Sequence, residues 1–147
     1  MASYFIYDSI NQYRSDNTVS EGRLSSATNP NFTTSDSITN HERASDQNIG
    51  TTLTALGDRD GIEYAVGSSV TANAAAVYFT GDDNVSSGTI INFFVDTDRA
   101  SLPNKGTITA VSAAGWATTD LTETTGTKFF VEFTGAVTNV SEVLIGS

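Results

Sequence analysis

Apolar and polar positions alternate clearly over the C-terminal part of the chain and hardly at all before it. Ile62, Tyr64 and Val66 alternate with Glu63 and Ala65 and predict a half-buried strand ending at Gly67. Ala75, Val77 and Phe79 alternate with Ala76 and Tyr78 and predict a second strand, closed by the turn residues Gly81-Asp82-Asp83-Asn84. Ile90 to Val95 is an almost unbroken apolar run, the pattern of a central strand covered on both faces. Asp96-Thr97-Asp98 and Pro103-Asn104-Lys105-Gly106 bound that run with turn chemistry. Thr107 to Val111 places Ile108 and Ala110 on one face. Lys128 to Thr134 sets Phe129, Val131 and Phe133 against Phe130, Glu132 and Thr134, and Ser141 to Ile145 forms a last strand.

Upstream of residue 62 the signal fades. Ser3 to Tyr7 is a short aromatic and β-branched run that reads as a first strand. From Asp8 to Gly61 the apolar residues are too thinly spread for any helical or strand period, so a long irregular N-terminal segment is expected. Three forms of that segment are open: a loop wrapped on its own domain, an arm ordered by a partner subunit, or a flexible tail. Short strands separated by Gly, Asn and Asp, with no internal repeat, predict an all-β fold, an antiparallel β-sandwich of jelly-roll type. The expected organisation is one domain, with residues 1–61 as an N-terminal strand and an extended arm or wrapping loop and residues 62–147 as the sandwich core.

Composition agrees with this reading and narrows the function. At 147 residues the chain is long enough to close one hydrophobic core. Only 16% of it is charged, and the remaining polarity is carried by Thr, Ser, Asn and Gly, which favour strands and turns over helices. Seven basic residues against 17 acidic ones give a net charge of −10, which repels phosphate backbones and anionic lipid, so neither nucleic acid nor a membrane is an expected partner. There is no cysteine, hence no disulfide or thiolate metal site. The N-terminus shows neither a basic stretch nor a long apolar run and is not expected to be a signal peptide.

Reagents for catalysis are scarce. His41 is the only histidine, it lies in the polar stretch Thr39-Asn40-His41-Glu42-Arg43, and no nucleophile-elbow pattern surrounds any serine; the chain is expected not to be an enzyme. The carboxylate pairs Asp58/Asp60, Asp82/Asp83 and Asp96/Asp98 sit in turn-rich sequence. Oxygen ligands gathered on loops suit calcium, the one candidate cation, although the simpler reading is solvated turn residues; no other cofactor is implied. Sequons at Asn31, Asn84 and Asn139 are what a chain rich in Asn, Ser and Thr produces by coincidence. Trp116, the only tryptophan, is a candidate sugar-stacking platform, against the more usual expectation that a lone Trp in a sandwich lies in the core.

Two resemblances follow from these residues. The segment Ile62-Glu63-Tyr64-Ala65-Val66-Gly67-Ser68-Ser69-Val70-Thr71-Ala72 with Val77-Tyr78-Phe79 resembles the central part of galactose-binding-like, discoidin-type jelly rolls. Phe129-Phe130-Val131-Glu132-Phe133-Thr134-Gly135 and Val140-Ser141-Glu142-Val143-Leu144-Ile145-Gly146 are similar to the closing strand pair of that family. The resemblance spans residues 62–146; the family's early tryptophan and terminal cysteine pair have no counterpart, and no sugar-binding residue is carried over. In its Thr/Ser/Asn/Gly/Ala-rich style, with Met-Ala at the start and few lysines, the chain also looks like bacteriophage virion proteins. That second resemblance implies a homo-oligomer, expected to be a trimer, on the virion surface, assembled in the host cytoplasm and cementing the major capsid protein or another virion protein. Tyr4, Phe5, Ile6, Tyr7 and Phe32 would be its apolar anchors. The alternative is a carbohydrate- or receptor-binding module that uses Trp116 and the loop carboxylates.

Overall fold

The computed structural model describes residues 18–24, 32–34, 38–40, 43–44, 48–55, 60–81, 88–96 and 104–146. Among the described residues there are nine strands: β1 Thr18–Leu24, β2 Phe32–Thr34, β3 Ile38–Thr39, β4 Leu53–Ala55, β5 Asp60–Phe79, β6 Ile90–Asp96, β7 Asn104–Thr109, β8 Gly115–Phe133 and β9 Val137–Gly146. All pairings between them are antiparallel.

The architecture follows from two long strands, β5 and β8, that pair along their whole lengths with register shifts in the middle. The N-terminal half of β5 (60–65) pairs β1 on one side and residues 128–133 of β8 on the other; β8 in turn pairs β6, and β6 pairs β7. The C-terminal half of β5 (74–79) pairs residues 115–120 of β8 and, on its other side, β9, which leads on to β4 and β3. One hydrogen-bonded ribbon therefore contributes to both layers of a β-sandwich. Its inner faces meet in a single core cluster that includes Ile62, Ile91, Phe93, Phe129, Val131 and Phe133 from one layer and Leu53, Val77, Phe79, Val143 and Ile145 from the other.

The all-β sandwich expected from the sequence is present, and the individual elements differ from expectation in instructive ways. Strand character does not stop at Gly67: Gly67-Ser68-Ser69 continues β5, and the register shifts between Ala65 and Val70 and between Ala72 and Ala74 mark where the ribbon leaves one layer for the other. Small residues suit such a bend, because bulged strand needs little side-chain room. Asn104, Lys105 and Gly106 belong to β7 and not to a turn; the Asn104 side chain, which would favour a turn, accepts from the Gly106 N–H (2.9 Å) and donates to Asn92 Oδ1 (2.9 Å). The stretch 8–61, which shows no period, contains β1 to β4. These strands have two to seven residues, and their pairing with β5 and β9 holds them where intrinsic propensity would not. β1 pairs with β5 and β4 with β9, so strands from before residue 60 take part in both layers. The expected strand at residues 3–7 lies outside the described residues.

Outward-facing positions complete the picture. In the first layer Glu132 is buried and accepts from Asn92 Nδ2 at 2.7 Å, which extends the Asn104–Asn92 bond into a three-residue polar chain across β7, β6 and β8. In the second layer Glu142 is buried and accepts from the Asn48 N–H at 3.0 Å. Buried carboxylates are tolerated where such donors meet them.

Candidate functional site

One end of the sandwich is laced together by hydrogen bonds between segments far apart in sequence. Thr80 N–H donates to Asn139 O (2.8 Å), and Asn139 Nδ2 donates to Thr80 O (3.3 Å) and Val111 O (2.9 Å). Gly88 N–H donates to Ala110 O, and Ala110 N–H to Thr89 O; Thr89 Oγ1 reaches Ala136 O. Thr134 N–H donates to Ile90 O, while its hydroxyl accepts from the Ile90 N–H at 3.1 Å. Asn139 is fully buried and spends its amide hydrogens on holding the ends of β5 and β7 together, so its sequon has a structural role. Such cross-links give a rigid base to whatever projects from this rim.

Gly115 leads the chain from this rim into β8 with a φ of +142°, a backbone conformation that side-chain-bearing residues rarely adopt. The next residue is Trp116. Ala117 packs against the core and exposure alternates from Gly115 to Leu121, so Trp116, Thr118 and Asp120 point outward and are exposed. Trp116 is 48% exposed, and the expectation that it fills the core is corrected. The physical reason is parity, since Leu121 is buried in the core cluster and places every second residue before Asp120 on the outer face.

Tyr78 is the cross-strand partner of Trp116, with ring centroids 5.1 Å apart and planes at 75°. An edge-to-face pair of this kind contributes about 0.5–1.5 kcal/mol beyond area burial. It also fixes the indole while leaving at least one of its faces unused by Tyr78. Tyr78 carried no functional expectation: its outward parity was visible in the alternation with Val77 and Phe79, but its partner lies 38 positions away, and only the pairing of β5 with β8 brings them together.

Of the carboxylate and anchor candidates, Asp60, Asp96 and Phe32 fall among the described residues. Asp60 opens β5 opposite Phe133 and Asp96 closes β6 opposite Lys128, so they lie on different strands offset by about 17 Å along β8 at the usual strand rise. Asp58, Asp82, Asp83 and Asp98 lie outside the described residues, as do His41, Asn31, Asn84, Tyr4, Phe5, Ile6 and Tyr7. Among the described residues no group of three or more His, Asp or Glu side chains is placed to hold a metal ion. Phe32 opens β2 opposite Leu24 of β1.

No protein-family model matches the sequence, and no curated protein matches it. Solved structures do match the fold. A CBM32 module of AlyQ, solved in complex with 4,5-unsaturated mannuronic acid, is 24% identical with a TM-score of 0.59, covering 71% of this chain and 83% of that one. The family 32 CBM of NanJ from Clostridium perfringens, solved with galactose, has a TM-score of 0.63 at 12% identity and covers 90% and 95%. A truncated AlyQ with CBM32 and alginate lyase domains gives a TM-score of 0.61 at 19% identity; 89% of this chain corresponds to 34% of that longer one. The chain thus has the discoidin-like β-sandwich fold of CBM32 modules, the galactose-binding-like architecture that residues 62–146 resemble.

Proposed function

We propose that this chain is a non-catalytic carbohydrate-binding module whose ligand stacks on Trp116. The observation that carries the reading is an indole half open to solvent, clamped edge-on by Tyr78 and rooted in a rigid rim. Large apolar side chains are normally withdrawn from water, and an exposed Trp held in one orientation is the arrangement that sugar C–H faces require. The fold supports the same reading, because two of the CBM32 structures it matches were solved with 4,5-unsaturated mannuronic acid and with galactose, and in truncated AlyQ a CBM32 domain accompanies an alginate lyase domain. The same fold argues against a catalytic role for the module itself. The virion reading rests on compositional style and on anchors outside the described residues, so the fold comparison moves the weight to glycan binding.

Affinity electrophoresis and calorimetry against a panel of soluble oligosaccharides test the proposal. Trp116→Ala is expected to weaken binding by at least about tenfold, as loss of a central aromatic anchor does, while lowering stability by no more than about 1.5 kcal/mol. Unchanged affinity in a folded Trp116→Ala variant would remove Trp116 from the site.

A further inference from the structure

The register across the second layer sets three outward rows side by side. Trp116 of β8 faces Tyr78 of β5, which faces Glu142 of β9; Thr118 faces Ala76, which faces Leu144; Asp120 faces Ala74, which faces Gly146. The β9 side of this face is covered, with Glu142 only 1% exposed and bonded to Asn48, and Leu144 buried. Along β5 the face is closed as well beyond Tyr78, with Ala76 2% and Ala74 8% exposed, so its open part is the β8 edge. The outward positions of β8 in these rows, Trp116, Thr118 and Asp120, are exposed, and over residues 115–120 the far side of β8 pairs no other described strand, since β6 joins β8 only at residues 128–133. The result is a shelf with an aromatic pair at one end and a carboxylate at the other. It spans about 13 Å from Trp116 to Asp120 at the usual strand rise.

The charge on this shelf has one sign. Asp120 is the only ionisable residue from Gly115 to Thr122, and Glu123, exposed just beyond it and held by Asn73 Nδ2 at 3.4 Å, adds a second carboxylate. The chain as a whole carries −10. A ligand complementary to this surface is cationic, and a uronate chain is repelled by it. We propose that the β8 shelf binds a short amino-sugar oligosaccharide, with one pyranose ring on Trp116 and a protonated amine of a neighbouring sugar on the Asp120 carboxylate, Thr118 supplying a hydroxyl between them. The assignment rests on the carbohydrate-binding reading and specifies its ligand class and the direction in which the glycan lies.

Calorimetry with β-linked glucosamine oligomers, their N-acetylated counterparts and mannuronate oligomers, at low and at physiological salt, tests it. The expected order of affinity is amino sugar, then acetylated sugar, then uronate. Asp120→Asn is expected to weaken the amino sugar alone by roughly two- to fivefold, the range an exposed ion pair supports, with a smaller effect at higher salt. General attraction between a polycation and an acidic protein is separated by the double variant: the effect of Asp120→Asn disappears in the Trp116→Ala background if both residues hold the same oligomer, and persists if the attraction is diffuse. Equal affinity for amino and acetylated sugars, an effect of Asp120→Asn that is absent or persists without Trp116, or a preference for uronate overturns the amino-sugar assignment. In those cases Trp116-dependent binding of any glycan leaves the carbohydrate-binding reading in place. Absence of binding to every glycan overturns both.

Discussion

Gly115 and Trp116 illustrate what a single residue settles in this fold. A side chain at Gly115 would meet nothing within 4 Å, so packing does not demand glycine there; the φ of +142° does. Gly115→Ala is therefore expected to cost about 1–3 kcal/mol through backbone strain alone, read as a lower urea midpoint with an unchanged m-value. A loss below about 0.5 kcal/mol would show that the rim relaxes around the new residue. If the strain is instead relieved by moving the start of β8, Trp116 leaves Tyr78 and sugar affinity falls with stability. The placement of Trp116 was partly legible in the sequence: Ala117, Thr119 and Leu121 have one parity and Trp116, Thr118 and Asp120 the other, so the charge of Asp120 already argued for an outward indole. The general preference of a lone Trp for the core pulled the other way, and local alternation prevailed because Leu121 is anchored in the core cluster.

At the scale of elements, the strands with strong alternation were legible and the joints were not. Ile62–Val66, Ala75–Phe79 and Lys128–Phe133 all lie in strands, yet the first two are halves of one strand, because Gly67-Ser68-Ser69 has the composition of a turn and the geometry of a bend. Pairing alone distinguishes the two, and pairing is set by residues more than 50 positions away. Gly61 shows how tightly the ribbon is drawn: a Cβ there would stand 2.7 Å from the Val131 carbonyl oxygen, and that oxygen is backbone and cannot swing aside. Gly61→Ala should force β5 away from β8 and cost about 1–3 kcal/mol or more, the range for overpacking a close contact. Denaturant titration measures it, and wild-type stability would mean that the two strands separate freely at this point. The short strands β1 to β4 were invisible for the complementary reason, since Thr18–Leu24 alternates weakly and is a strand because β5 offers it six register partners.

For the whole molecule, the sharing of β5 and β8 between layers has an energetic consequence. Where two sheets meet only through side chains, one can loosen while the other persists; here both layers are built on the same two backbones and a single core cluster. The domain should therefore unfold as one cooperative unit, with the amides of Ile62 and Val77 exchanging through openings of similar free energy. Phe79 offers the sharper test. It is fully buried at the rim end of β5, in the second layer, and Phe79→Ala should cost about 3–5 kcal/mol. Against a typical domain stability of about 5–15 kcal/mol the variant should still fold, and hydrogen exchange can then be followed in both layers. Cooperative coupling predicts that protection falls at Ile62, in the opposite layer, by as much as at Val77 beside the substitution. A fall confined to residues 74–79 and to β9 would mean that the register shifts near Val70 and Ala72 act as a hinge between two separately stable sheets. The rim that carries Trp116 would then be free to open without unfolding the layer beneath it.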